Sequence, residues 1–199
     1  MVKQIYLFDS PSDPNDSERD HYFRNLDYKC QYIKHCLGEL EKTKGADIHD
    51  IYTSPYLSSL QLAIEMSKKS NISFKIDNAL YDVLDKKNYE LFKCNYYWPD
   101  QERNLLRGKN SKRILIDILN HRESFYESSI LASNIKYGEE DTDISNRIGS
   151  FIFKAMGSSE DKSNVALICH KALFPYIIEY VSFYNSTNPQ KEKIQVILR

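Results

Sequence analysis

Two places in the chain put chemically useful side chains directly after an apolar run. The first is Asp9-Ser10-Pro11, which follows Ile5-Tyr6-Leu7-Phe8. The second is His170, which follows Val165-Ala166-Leu167-Ile168-Cys169. Such short runs read as buried strands, and the loops at the carboxyl ends of strands are where α/β proteins bind ligands. Asp9 could therefore serve as an aspartyl-phosphate nucleophile. That chemistry usually wants a second Asp two residues on, and Pro11 holds the place. Ser10 is a weak nucleophile unless a base activates it. The bland readings are equally concrete: Asp-Ser-Pro is good turn chemistry in any protein, and a single strand-end His is more often a hydrogen-bonded structural residue than a catalyst.

The elements that must position these residues follow from periodicity. After a polar loop over Ser10–Arg24, the apolar positions Leu26, Cys30, Ile33, Leu37 and Leu40 recur at helical spacing, and Lys44-Gly45 ends that helix. Ile48–Tyr52 is a second strand. Thr53-Ser54-Pro55 then predicts a helix with Ser54 as cap and Pro55 in its first turn, running to about Ser70 and burying Leu57, Leu60, Ile64 and Met66. Ile72–Ile76 alternates as a third strand. From Asp141 a helix runs through Ile144, Ile148, Phe151, Ile152 and Met156 to Gly157. Val165–Cys169 is apolar throughout, as befits a strand buried on both faces of a parallel sheet. Leu173–Tyr184 is a further helix and Lys193–Leu198 a last strand. Strand and helix alternating in this rhythm predict an α/β fold. Residues from about 85 to 135 break the rhythm and read as an insertion over the sheet.

Composition narrows the class. The 199 residues carry a net charge of −1, with 41% hydrophobic and 28% charged residues, so no global field favours nucleic acid or a membrane surface. The opening Met1-Val2-Lys3-Gln4-Ile5 shows no secretory pattern. Cys30, Cys36, Cys94 and Cys169 have neither CxxC nor zinc-finger spacing and read as reduced thiols, so a cytoplasmic or nuclear location is expected. Asn15, Asn71 and Asn185 match the glycosylation pattern formally. The basic stretch Arg103, Arg107, Lys109, Lys112, Arg113 is a solvated helix face or loop, or a docking patch for an acidic partner or RNA. Tyr96-Tyr97-Trp98-Pro99 is a lid on the core or an exposed anchor.

Four stretches in order resemble the histidine phosphatase (phosphoglycerate mutase-like) superfamily. Strand one and its loop stand where that family carries Arg-His-Gly. Thr53-Ser54-Pro55 with Ser58-Ser59-Leu60-Gln61-Leu62-Ala63 looks like its Ser-Pro…Arg-Ala…Gln-Thr-Ala segment. Leu80-Tyr81-Asp82 looks like its Leu-x-Glu. Gly138-Glu139 with Arg147, then Leu167-Ile168-Cys169-His170, looks like its Gly-Glu-Ser…Arg and the strand ending in its second His. In that family one His attacks phosphorus, two Arg and the second His hold the phosphate oxygens, and a carboxyl group protonates the leaving oxygen. Carried over, the first Arg falls on Asp9, the nucleophile on Ser10, the Gly on Pro11 and the second Arg on Ser58. Only the acid, Asp82, and the second His, His170, keep a suitable type, and Lys171 replaces a glycine usual after that His. His21, His35, His49 and His121 are the remaining nucleophile candidates, and none follows a strand between an Arg and a Gly.

The resemblance implies a three-layer α/β sandwich, a mostly parallel central sheet with helices on both faces, over a single domain 1–199 with the 85–135 insertion. Two guanidinium charges are lost and one carboxylate gained, about three units against a phosphate dianion; Lys171 returns one at most, without the Arg fork. The expectation is a catalytically inactive relative, with Asp9, Ser10, Ser58, Asp82 and His170 as relic positions, acting as a binding or scaffolding subunit of a larger assembly. The alternative is an active phosphomonoester hydrolase with a non-standard site. No cofactor and no metal are expected, although Asp9, Asp82 and His170 converging on one pocket could in principle ligate a divalent cation. The expected partners are proteins, with no membrane, nucleic acid only through a complex, and a homodimer allowed.

Overall fold

The computed structural model of the protein describes residues 3–10, 26–42, 48–55, 57–83, 138–157, 164–191 and 193–199, the side chains at 3, 26–33, 57, 58 and 157 excepted. Strands β1 (Lys3–Asp9), β2 (Ile48–Thr53), β3 (Phe74–Ile76), β4 (Asn164–Cys169) and β5 (Ile194–Leu198) form one sheet in the order β3-β2-β4-β1-β5. Every pairing is parallel, beyond the mostly parallel sheet expected. Helices α1 (Leu26–Lys42), α2 (Leu57–Ser70), α3 (Asp141–Gly157) and α4 (Phe174–Thr187) connect or flank the strands.

The apolar alternation decides which helix covers which face. Tyr6, Phe8, Ile51, Ala166 and Ile168 point to one side, where Cys36 and Leu40 of α1 and Leu60, Leu62, Ala63, Ile64 and Met66 of α2 close over them. Ile5, Leu7, Tyr52, Val165, Leu167 and Cys169 point to the other side, against Ile144, Ile148, Phe151 and Ile152 of α3 and Ile177 and Val181 of α4. Tyr52 and Phe151 meet edge to face across that layer at 5.3 Å. The three-layer α/β sandwich is therefore the observed architecture. Its handedness has a simple cause. The chain winds from β1 through β2 to β3 in one direction and from β4 to β5 in the other, and right-handed crossovers in opposite directions place their helices on opposite faces.

Some boundaries move. Helix α2 begins at Leu57, two residues beyond Pro55, because Ser54 still belongs to the sheet end, where its N–H donates to the Ile168 carbonyl at 2.8 Å. Strand β3 begins at Phe74 rather than Ile72, after the chain leaves α2 through Asn71 at φ 56°, a left-handed conformation that Asn tolerates. A 3₁₀ turn, Lys171–Leu173, precedes α4. The Ser10–Arg24 loop beyond Ser10, Lys44-Gly45, the 85–135 insertion, Tyr96–Pro99 and the Arg103–Arg113 basic stretch lie outside the described residues. Among the described residues no helix is long and apolar enough to cross a membrane.

Candidate functional site

Strands β1 and β4 lie side by side, Asp9 opposite Cys169, so their carboxyl ends deliver Asp9, Ser10 and His170 to one place. This is also where the winding reverses, the crevice in which open parallel sheets bind ligands. The Ser10 N–H extends the ladder by one bond, donating to the Cys169 carbonyl at 3.0 Å. Beyond it, the Ser10 side chain is buried and its hydroxyl hydrogen-bonds the hydroxyl of Ser59, itself fully buried in the first turns of α2. Ser59, not singled out in the sequence, is thus the α2 residue that meets Ser10. The side chain of Ser58 lies outside the described residues, as does Pro11.

Asp9 faces the turn after β4, where its Oδ1 accepts the Lys171 N–H at 2.9 Å. Burial raises its carboxyl pKa above the ordinary carboxylate value, against the opposing pull of the His170 and Lys171 charges. Cys169, wholly buried, has its thiol pKa pushed up by burial and then by the charges of Asp9 and Asp82, so it stays a neutral thiol and not a nucleophile.

Asp82 comes from a different element. After β3, Asp77 caps a 3₁₀ turn over Asn78–Leu80 by accepting the Ala79 N–H at 2.8 Å, and the chain then runs through Tyr81 to Asp82. Asp82 Oδ1 lies 3.2 Å from His170 Nδ1 and accepts the Val83 N–H at 2.7 Å. The Ala172 N–H also approaches His170 Nδ1, at 3.4 Å. One nitrogen cannot both donate to a carboxylate and accept from an amide. The shorter, charge-assisted contact wins, so Nδ1 carries the proton and donates a hydrogen bond to Asp82 Oδ1. Burial lowers the His170 pKa, but the hydrogen bond to Asp82 and the charges of Asp82 and Asp9 outweigh it, and the net shift is upward. The imidazole side chain keeps 30% of its surface exposed.

A buried network braces this turn. The Arg147 guanidinium of α3 binds both oxygens of Glu139, with Nε at 2.8 Å and Nη2 at 3.0 Å. Its Nη1 donates to the carbonyls of Ala79 at 2.5 Å and Tyr81 at 3.0 Å, and Nη2 to that of Asp82 at 3.3 Å. The guanidinium also lies 3.9 Å above the Tyr81 ring, whose hydroxyl donates to Glu139. Arg147 therefore faces the protein and not the Asp9–His170 crevice. Among the described residues, no group of three or more His, Cys, Asp or Glu is placed to hold a metal ion, Asp9, Asp82 and His170 included.

The structure thus brings together four of the five positions singled out in the sequence, Asp9 at the end of β1 with Ser10 after it, and Asp82 with His170 beside them. What this arrangement can do chemically is offer one imidazole held by the Asp82 carboxylate, with the Asp9 carboxyl and the Lys171 ammonium charge near it.

No protein-family model and no curated protein matches the sequence. Solved structures do. The ecdysone phosphate phosphatase of Bombix mori, crystallised with tungstate, matches with a TM-score of 0.54 at 14% identity over 82% of this chain. This chain spans 57% of that chain's length. The mycobacterial glucosyl-3-phosphoglycerate phosphatase matches at 13% identity and a TM-score of 0.47, over 90% of this chain and 78% of that one. At such identity the likeness is one of fold. The five-stranded parallel sheet with its helices is the α/β architecture of phosphoglycerate mutase-like phosphatases.

Proposed function

We propose, from that shared fold, that this chain is a degenerate member of the histidine phosphatase superfamily that does not catalyse phosphoryl transfer and works by binding a protein partner. One observation carries the reading. The two residues at the end of β1, where the resemblance places Arg and the nucleophilic His, are Asp9 and Ser10, and both are engaged inside the protein, Asp9 by the Lys171 N–H and Ser10 by the Ser59 hydroxyl. A phosphate group entering there meets carboxylates in place of guanidinium groups. Each unit charge pair of like sign at about 4 Å costs about 4 kcal/mol at an effective dielectric of 20. Neither His170 nor Lys171 supplies the bidentate fork that an Arg gives to phosphate.

A second reading rests on a different observation. His170 keeps its partner Asp82 and part of its surface, which favours an active phosphomonoester hydrolase with a non-standard site. Hydrolysis of an aryl phosphate from acid to neutral pH separates the two, with the natural chain beside His170→Ala and Asp9→Ala. The expected outcome is no turnover above buffer in any of the three. Turnover abolished in His170→Ala alone establishes a histidine phosphatase. Turnover abolished in Asp9→Ala and dependent on magnesium moves the chain to aspartyl-phosphate chemistry.

A further inference from the structure

Arg147 does not belong to the His170 site, yet all five of its N–H donors are committed to the segment that carries Asp82 and to Glu139. The carbonyls of Ala79, Tyr81 and Asp82 all aim at one guanidinium. Three such dipoles pointing their negative ends at one buried place repel one another unless a cation sits there. The 3₁₀ turn that precedes Asp82 is only three residues long and has few bonds of its own to fix the direction in which the chain leaves it. Glu139 holds the guanidinium in two places, and the Tyr81 ring lies beneath it.

We propose that Arg147, seated by Glu139, is a positioning residue: by fixing the backbone from Ala79 to Asp82 it keeps the Asp82 carboxylate on His170 Nδ1, and through that carboxylate it sets the charge of the imidazole. Among the described residues, the other charged groups facing His170 are Asp9 from β1 and Lys171 on its own turn. Neither is touched by Arg147 in the contacts described above. The two ways Arg147 could influence His170 have opposite signs. Acting only as a nearby cation, it opposes a second positive charge, so its influence lowers the His170 pKa. Acting through Asp82, it raises it, because a carboxylate held at hydrogen-bond distance favours the imidazolium.

Arg147→Lys isolates the second effect, since Lys keeps the charge but loses the five-donor fork. The experiment is a proton–carbon NMR titration of the imidazole groups in the full chain, with the His170 signal identified by its loss in His170→Gln. The expected result is a His170 midpoint lower by about half a pH unit or more in Arg147→Lys, in the direction of the Asp82→Asn variant. In the Asp82→Asn background, Arg147→Lys should add nothing further, because the route through the Asp82 carboxylate has gone and the charge at position 147 is unchanged. A midpoint that stays or rises in Arg147→Lys overturns the proposal, and so does a further fall in the double variant. Should circular dichroism show Arg147→Lys unfolded, Tyr81→Leu removes the ring beneath the guanidinium without changing any charge near neutral pH, and its midpoint must fall for the proposal to stand. The readout is a protonation state, so it is the same whether or not the chain turns over a phosphate ester.

Discussion

Asp9 and His170 both hold their protons more tightly in the folded chain than in the unfolded one, for opposite reasons. Burial raises Asp9, whereas His170 is raised in spite of burial, by Asp82 and Asp9. The consequence for stability has one sign. A group whose folded pKa exceeds its unfolded value contributes stability that is fully present below the unfolded value and is lost as pH rises through the folded value. For His170 that window opens near its ordinary value of 6.5 and extends upward. Urea unfolding of the natural chain and of His170→Asn, compared pH by pH, is therefore expected to show a stability difference that favours the natural chain at acid pH and shrinks as pH rises through that window. A difference that grows with pH contradicts a His170 pKa raised by folding. At this scale the sequence was only partly readable. Asp82 and His170 were legible through resemblance, since nothing in their spacing brings them together. Ser59 was not, because Ser58 and Ser59 are chemically identical neighbours and only the phase of α2 decides which one turns toward Ser10. Arg147 and Glu139 were marked by the resemblance, but the hold of Arg147 on the segment before Asp82 was not legible, for three of its acceptors are backbone carbonyls.

Elements were the most legible level, and the reason is the strength of the apolar period. Val165–Cys169 buries alternate side chains in both core layers, which a continuous apolar run announces. Boundaries set by tertiary contacts were less so: Ser54 extends the sheet end because Ile168 is there to accept its N–H, a partner that helix-capping preferences do not contain. Helix contacts are equally hidden. Gly149 of α3 sits under Tyr180 of α4, so close that a Cβ would lie 2.6 Å from the ring. Ala is ordinarily better than Gly inside a helix by about 1 kcal/mol. Overpacking typically costs about 1–3 kcal/mol, so it should override that gain here. Gly149→Ala is accordingly expected to lower stability in the natural chain and to raise it in a Tyr180→Ala background, a reversal that denaturant unfolding of the four variants would show. If Gly149→Ala stabilises both backgrounds, the two helices are not in close contact at this point.

The molecule as a whole is held by β1. It is the first strand in the chain but lies between β4 and β5, and Ile5, Tyr6, Leu7 and Phe8 are all buried, two in each core layer. Strand β5, by contrast, is an edge of the sheet among the described residues, with Leu198 57% exposed. Deleting residues 1–9 should abolish the cooperative thermal transition, while deleting residues 194–199 should lower its midpoint and leave it cooperative. Calorimetry on the two truncations checks both outcomes, and a cooperative melt without β1 would show that β4 and β5 can be joined by other means. The same strand order has a consequence during synthesis. When β1 leaves the ribosome, neither neighbour exists, because β4 begins only at Asn164 and β5 at Ile194. At roughly 5–20 residues per second, β1 waits on the order of 10–40 s with both edges open. The sheet cannot assemble from β1 outward as the chain grows, so the nascent chain carries an apolar strand without its two sheet neighbours until β4 and β5 are made, an interval in which binding by a chaperone would matter most.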